Sequence, residues 1–119
     1  MAADATSAVD VRVAVSREDL EAHHRVRRAV FVEEQRIFAG DDRDAWDDAA
    51  VKVIAEIGGE VVGAVRLYPL DEAGLWKGDR LAVLPEGRRL RAGAPLVRFA
   101  VREAGARGGH RMIALIQKR

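Results

Sequence analysis

The sequence predicts an α+β domain in which a mixed, mostly antiparallel sheet is flanked by helices. Valines alternate near the N-terminus with a period of two, and a capped helical pattern follows them. Two apolar runs then meet at a diglycine, ahead of a second helix and a last strand. The order is therefore strand, long helix, three antiparallel strands, helix, strand. Strict strand–helix alternation is missing, which argues against a doubly wound parallel sheet.

The first strand lies in "VDVRVAV", where Val9, Val11, Val13 and Val15 repeat on one face. Ser16 then offers a helix N-cap with Asp19 at the third following position, and "SREDLEAHHRVRRAV" continues in good helix formers. "AGDDRDAWDD" has no steady apolar period and reads as an exposed loop; it lacks the glycine that a calcium-binding EF-hand loop needs at its sixth position. "VKVIAEI" and "EVVGAVRLYP" flank Gly58-Gly59, two residues able to take the positive φ of a tight hairpin. "GLWKGDRLAV" is a further strand. "GAPLVRFAVREAGARGG" is a helix with Pro95 in its first turn and Gly108-Gly109 as its stop, and "RMIALIQ" is the last strand. Residues 1–8 are expected to be a disordered extension and residues 9–119 one domain.

Composition narrows the function classes. A chain of 119 residues, 49% apolar and 33% charged, has core-forming capacity for one domain. Twenty Lys and Arg against nineteen Asp and Glu leave a net charge of +1, so no overall field draws in nucleic acid or anionic lipid. No Cys is present, which excludes disulfides, thiolate metal sites and a Cys nucleophile. "MAADATSAVD" has neither a basic leader nor an apolar stretch, and no apolar run approaches the roughly 18 residues of a membrane span. A cytoplasmic location, without nucleic-acid or membrane partners, is expected.

The chemistry concentrates in "LAVLPEGRRLRAGAPL", Leu81 to Leu96, where a strand, a proline turn and three arginines run into a helix N-terminus. Unpaired N–H groups and the positive end of the helix dipole suit an anion there, and Arg88, Arg89 and Arg91 add charge for phosphate. A solvated basic helix entry is the plainer alternative. The glycines are too few for a Walker A loop.

This segment resembles the GNAT superfamily of acyl-CoA-dependent N-acyltransferases, whose loop reads Arg or Gln, two residues, Gly, one residue, Gly or Ala. Arg88, Arg91 and Gly93 occupy the three fixed positions, with Arg91 standing where the family has its first Gly. "RLAV" followed by a Pro is similar to the family's fourth strand. The resemblance implies acetyl-CoA as co-substrate, without a metal. It places the diphosphate on Arg88, Arg89, Arg91, Ala92, Gly93 and Ala94, and the pantetheine arm and thioester carbonyl on main-chain groups of Leu81, Ala82 and Val83. "VRRAVFVEEQ", "DDRDA", "GAVRLYP" and "GLWKGDRLAV" together resemble nitrogen-starvation N-acetyltransferases. The function implied is acetyl transfer from acetyl-CoA to the amine of a small-molecule or peptide acceptor. The family continues past its fifth strand with a helix and two more strands, whereas this sequence stops at "IQKR". The resemblance thus implies a domain lacking that C-terminal helix and the last two strands, with Met112 to Gln117 exposed as an edge for self-association.

Individual residues carry competing readings. Glu33 and Glu34 lie where the first helix would approach the acceptor cleft; such a pair is usually solvated, but a partly buried carboxylate can take a proton from an ammonium group, and Glu34 is preferred. Adjacent His23 and His24 point about 100° apart on a helix, unlike a zinc-binding pair, and with His110 read as surface or structural residues. Phe31, Phe38, Trp46 and Trp76 could line an acceptor pocket or simply fill the core. Arg66, inside an otherwise apolar strand, must reach solvent or a carboxylate, and the acidic loop is a candidate partner. Arg27, Val30, Phe31, the loop aspartates and Arg66-Leu67 also resemble acyl-homoserine-lactone synthases. That reading stays open, as does a non-catalytic CoA-binding or assembly module left by truncation.

Overall fold

The computed structural model describes residues 9–114. Five strands, β1 (Asp10–Val13), β2 (Val51–Ile57), β3 (Glu60–Pro69), β4 (Leu75–Val83) and β5 (Arg111–Ala114), form one sheet in chain order. The pairs are antiparallel except β4–β5, which is parallel. Helix α1 (Arg17–Arg27) follows β1, α2 (Pro85–Arg89) follows β4, and α3 (Gly93–Ala106) precedes β5. This is the mixed α+β arrangement that the sequence predicts.

Local chemistry accounts for the boundaries. The Ser16 hydroxyl accepts from the Asp19 N–H at 3.1 Å and caps α1. Gly58 and Gly59 take φ of 59° and 86°, closing the β2–β3 hairpin. β1 is shorter than the valine alternation implies. The strand ends at Val13, Ala14 turns inward, and Val15 is 77% exposed.

The sheet is covered on both faces. α3 lies on one, where Leu96, Ala100 and Ala104 pack with Val53, Ala55, Val65, Leu67 and Trp76. On the other, Val26, Val30 and Phe31 pack on Ala64 and Ala82. Double coverage explains why β3 is buried continuously from Val62 to Tyr68 instead of alternating. At Gly63 a Cβ would come within 2.6 Å of Leu96 Cδ1, so the glycine permits close approach of α3.

Three further features depart from the sequence reading. The long first helix does not continue as an α-helix: residues Arg28–Glu34 form a π-helical segment, with the Gln35 N–H donating to Val30 O at 2.8 Å. The aspartate loop is not simply an exposed loop. Ala45–Asp48 form a 3-10 turn, and Asp42 and Asp47 are buried. His23 is not at the surface either; it is fully buried beneath α1. Residues 1–8, and the end of the last predicted strand beyond Ala114, lie outside the described residues.

Candidate functional site

β4 carries an irregularity at the centre of the site. Ala64 pairs with Ala82 and Arg66 with Asp79, so Val65 faces both Arg80 and Leu81. This is a β-bulge with its extra residue in β4, and Arg80 takes a left-handed φ of 54°. Ala82 is buried, whereas Leu81 and Val83 are partly open.

From the bulge the chain runs into Leu84, then α2, then the turn that opens α3. Pro85 occupies the first turn of α2, where a missing N–H costs no hydrogen bond. The Arg91 and Ala92 N–H groups donate back to Arg88 O and Gly87 O at 3.0 and 2.9 Å, folding the loop tightly. Arg91 has φ 58°, in the region that favours glycine. α3 then starts at Gly93 with no side-chain cap, leaving the dipole end of a 14-residue helix unmasked. A Cβ on Gly93 would meet nothing closer than Val83 Cγ2 at 4.0 Å. Arg89, Arg91 and Ala94 are exposed around this terminus, and Ala92 is buried behind it.

Arg88 points across the site. Its Nε donates to Val83 O at 2.9 Å, and Nη1 donates to Glu34 Oε2 at 2.9 Å while Nη2 pairs with Glu34 Oε1. Glu34 thus joins the end of the π segment to the arginine loop. Glu33 is more exposed and lies 3.7 Å from Arg28.

A family model for the GNAT acetyltransferases matches residues 17–118. The chain belongs to that family. Solved structures share the GNAT fold, among them a ribosomal-protein-alanine N-acetyltransferase from Brucella melitensis biovar Abortus (TM-score 0.71, 20% identity), with 93% of this chain and 82% of that one covered. An acyl-CoA N-acyltransferase from Pseudomonas aeruginosa matches with TM-score 0.69 and 22% identity, over 82% of this chain and 70% of its own. N-acetylglutamate synthase from Neisseria gonorrhoeae, solved with coenzyme A and N-acetyl-glutamate, matches with TM-score 0.69 and 26% identity over 90% of this chain. The present chain spans only 25% of that protein. No curated protein sequence matches.

Beside the loop of this GNAT domain lies a lattice of buried ion pairs. Arg27 donates to Asp42 at 2.8 Å and to Asp47 at 2.6 Å. Arg66 reaches Asp44 and Asp79 at 2.6 Å each and Asp47 at 3.0 Å. Arg80 lies 3.2 Å from Asp42 and 3.3 Å from Asp44. Burial opposes the charge on Arg66, but its hydrogen bonds to Asp44 and Asp79 outweigh burial and raise its pKa. Burial likewise pushes the Asp47 carboxyl up, and its hydrogen bond from Arg27 holds it well below the carboxylate range. Tyr68 donates to Asp79 at 3.0 Å, and burial with that acceptor pushes the phenol up to about 12.

The remaining candidates divide between core and surface. Phe31 is buried in the α1-side core, and Arg66 is 1% exposed inside the lattice, so neither side chain lines open space. Trp76 is core. Trp46 is half exposed and stacks on Tyr68, with ring centroids 4.5 Å apart. Asp79, Tyr68 and Arg80 escaped the sequence reading. The signal for Asp79 was present: an acid in the middle of a strand, which pairing in register sets opposite Arg66.

On the α3 side, Val65, Gly78, Leu81, Val97, Val101 and Met112 help line an apolar cavity of about 110 Å³ between β4, β5 and the helix. Among the described residues, no group of His, Cys, Asp and Glu side chains is arranged to hold a metal ion. No described helix is long and apolar enough to cross a membrane.

Proposed function

We propose that this GNAT domain transfers an acetyl group from acetyl-CoA directly to the amine of a small-molecule or peptide acceptor. The observation that carries the proposal is the uncapped α3 N-terminus, open at Gly93, next to the bulged end of β4. The N-terminal N–H groups and helix dipole of α3 suit a diphosphate; Arg91 is exposed beside it, and Arg89, in an exposed ion pair with Glu86 at 3.7 Å, can exchange that partner for a phosphate. A Cβ at Gly93 would meet nothing closer than 4.0 Å, so that residue does not obstruct the approach to the terminus.

Main-chain N–H groups of Leu81 and Val83 would polarise the thioester carbonyl, an oxyanion-type stabilisation worth roughly 3 kcal/mol, while the Ala82 N–H is turned toward Ala64 in the β3–β4 ladder. As the amine nitrogen attacks the carbonyl carbon, the carbon–sulfur bond breaks and the CoA thiolate departs. Glu34 takes the proton that the amine loses. The acyl-homoserine-lactone reading rests on Arg27, Phe31, the loop aspartates and Arg66. Burial and mutual pairing explain these residues as scaffold without invoking a substrate.

Acetyl-CoA should raise the melting temperature, since a ligand at one hundred times its Kd stabilises the native state by about 2.7 kcal/mol. Release of free thiol from acetyl-CoA across an amine panel then identifies the acceptor. No shift at millimolar acetyl-CoA would overturn the proposal.

A further inference from the structure

Arg80 sits at a junction that the proposed chemistry leaves unexplained. Its backbone is the left-handed residue of the β4 bulge, with φ 54°. A non-glycine residue persists there only where its surroundings hold it. Its side chain is tethered in several directions. Nε and Nη2 donate to the Asp42 carbonyl at 3.2 and 2.9 Å, forming a two-pronged contact with the acidic loop. The guanidinium also lies 3.2 Å from the Asp42 carboxylate and 3.3 Å from Asp44, and it stacks over the Phe38 ring at 4.4 Å.

These tethers are themselves fixed. Asp42 is shared with fully buried Arg27, and Asp44 is shared with Arg66, which is anchored to β4 again through Asp79. Phe38 follows the π segment that carries Glu34 and packs edge-on against Phe31. A rigid lattice thus grips β4 from the side of the loop, one residue before Leu81.

We propose that Arg80 is a positioning residue: its side chain, clamped by Asp42, Asp44 and Phe38, holds the bulge in the conformation that sets the Leu81–Val83 main chain. This rests on the reading of that main chain as the carbonyl-polarising element. Polarising donors work only when fixed in advance, and a displacement of about 1 Å costs on the order of a hundredfold in rate. A clamp on the bulge is therefore expected to act on kcat and to leave acetyl-CoA affinity, governed by the α3 terminus, largely intact.

Arg80→Gly tests this, because glycine accepts the left-handed backbone while removing every tether; Arg80→Lys keeps the charge but loses the two-pronged contact. Far-UV circular dichroism checks the fold. If the glycine variant does not fold, Phe38→Leu loosens the clamp from the other side. Amide hydrogen exchange is the first readout and needs no ligand. Ala82 and Leu84, whose N–H groups are turned to Ala64 and Val62 in the β3–β4 pairing, should exchange at least tenfold faster in the variant, while β2 amides stay unchanged; unchanged exchange at both overturns the clamp. The second readout is the ¹³C resonance of acetyl-CoA labelled at the acetyl carbonyl. Its shift on binding to the native protein should be largely lost in Arg80→Gly, with Kd within about threefold and kcat down tenfold or more. A full shift in the variant overturns the positioning role. If the native protein binds no acetyl-CoA, the proposed function fails, and hydrogen exchange alone still decides the clamp.

Discussion

Arg88 donates to Glu34 through both terminal nitrogens, with Nη1 2.9 Å from Oε2, and so bolts the arginine loop to the end of the π segment. Both carboxylate oxygens are engaged, and proton uptake by Glu34 requires Arg88 to disengage. On the proposed reading, a phosphate arriving at the loop offers Arg88 another anionic partner, which would couple cofactor binding to the release of Glu34.

The base role makes one prediction. Glu34→Gln should lower kcat by about a hundredfold or more and remove the acidic limb of the pH–rate profile, while acetyl-CoA binds no more weakly, because Arg88 is released from its ion pair. Steady-state kinetics across pH decides it. A variant with native kcat and native pH dependence would leave Glu34 as a brace alone.

Arg91 stands at a backbone position that favours glycine. The turn between α2 and α3 demands φ near 58°, which a side chain adopts only at a cost of roughly 1 kcal/mol. Arg91→Gly is expected to raise stability by about 0.5 kcal/mol, the relief being partly offset by the greater freedom of glycine in the unfolded chain. Urea denaturation with unchanged m-value would show it. Destabilisation by more than about 1 kcal/mol would mean that the Arg91 side chain holds the turn, contrary to its exposure.

Much of this architecture was written locally, and what was not has a common cause. Ser16, the diglycine at 58–59 and Pro95 act within a few residues of themselves, so the helix start, the hairpin and the α3 entry could be read directly. Arg66 announced that it needed a carboxylate, and the acidic loop supplies two of its partners, Asp44 and Asp47. The arrangement of the lattice could not be read, because Arg27, Asp42, Arg66 and Asp79 come from four separate segments that only the fold brings together. A run of five aspartates looks solvated until three arginines are known to face it. The π segment was hidden as well: its sequence has ordinary helix periodicity, and Val30 and Phe31 still face the sheet from within the wider turn.

Removing one member of that lattice should be severe. Arg66→Leu takes the cation from between Asp44, Asp47 and Asp79; Asp44 keeps Arg80 and Asp47 keeps Arg27, but Asp79 loses its ion pair in a region where Arg66 itself is 1% exposed. The expected loss is about 3–5 kcal/mol. Asp79→Asn should cost less, because the amide still accepts from Tyr68 and Arg66 keeps two other carboxylates. Denaturant titration of the two variants should rank them in that order, and the reverse order would show that Asp79 carries the lattice.

His23 makes the fold sensitive to mild acid. Its Nδ1 lies 3.1 Å from the Val53 carbonyl and its Nε2 lies 3.2 Å from Arg27 Nη1. A carbonyl only accepts and a guanidinium only donates, so the ring must carry its proton on Nδ1 and stay neutral at Nε2. Burial first, and the charge of Arg27 second, lower its pKa to about 3, whereas an unfolded histidine takes a proton near 6.5. Between these values the unfolded chain binds the additional proton, so stability should fall as pH drops from about 6.5, by up to about 1.4 kcal/mol per pH unit. Half-buried His24, lowered mainly by burial, adds a smaller contribution of the same sign. Asp47, whose pKa is also lowered, begins to contribute only as unfolded carboxylates titrate, nearer pH 4. The interval from pH 5 to 6.5 therefore belongs to the histidines. His23→Asn, with an amide that can still donate toward Val53, should be less stable at pH 7 yet lose much of the slope in that interval. Urea midpoints at half-unit steps test this, and an undiminished slope in the variant would show that some group other than His23 takes up the proton.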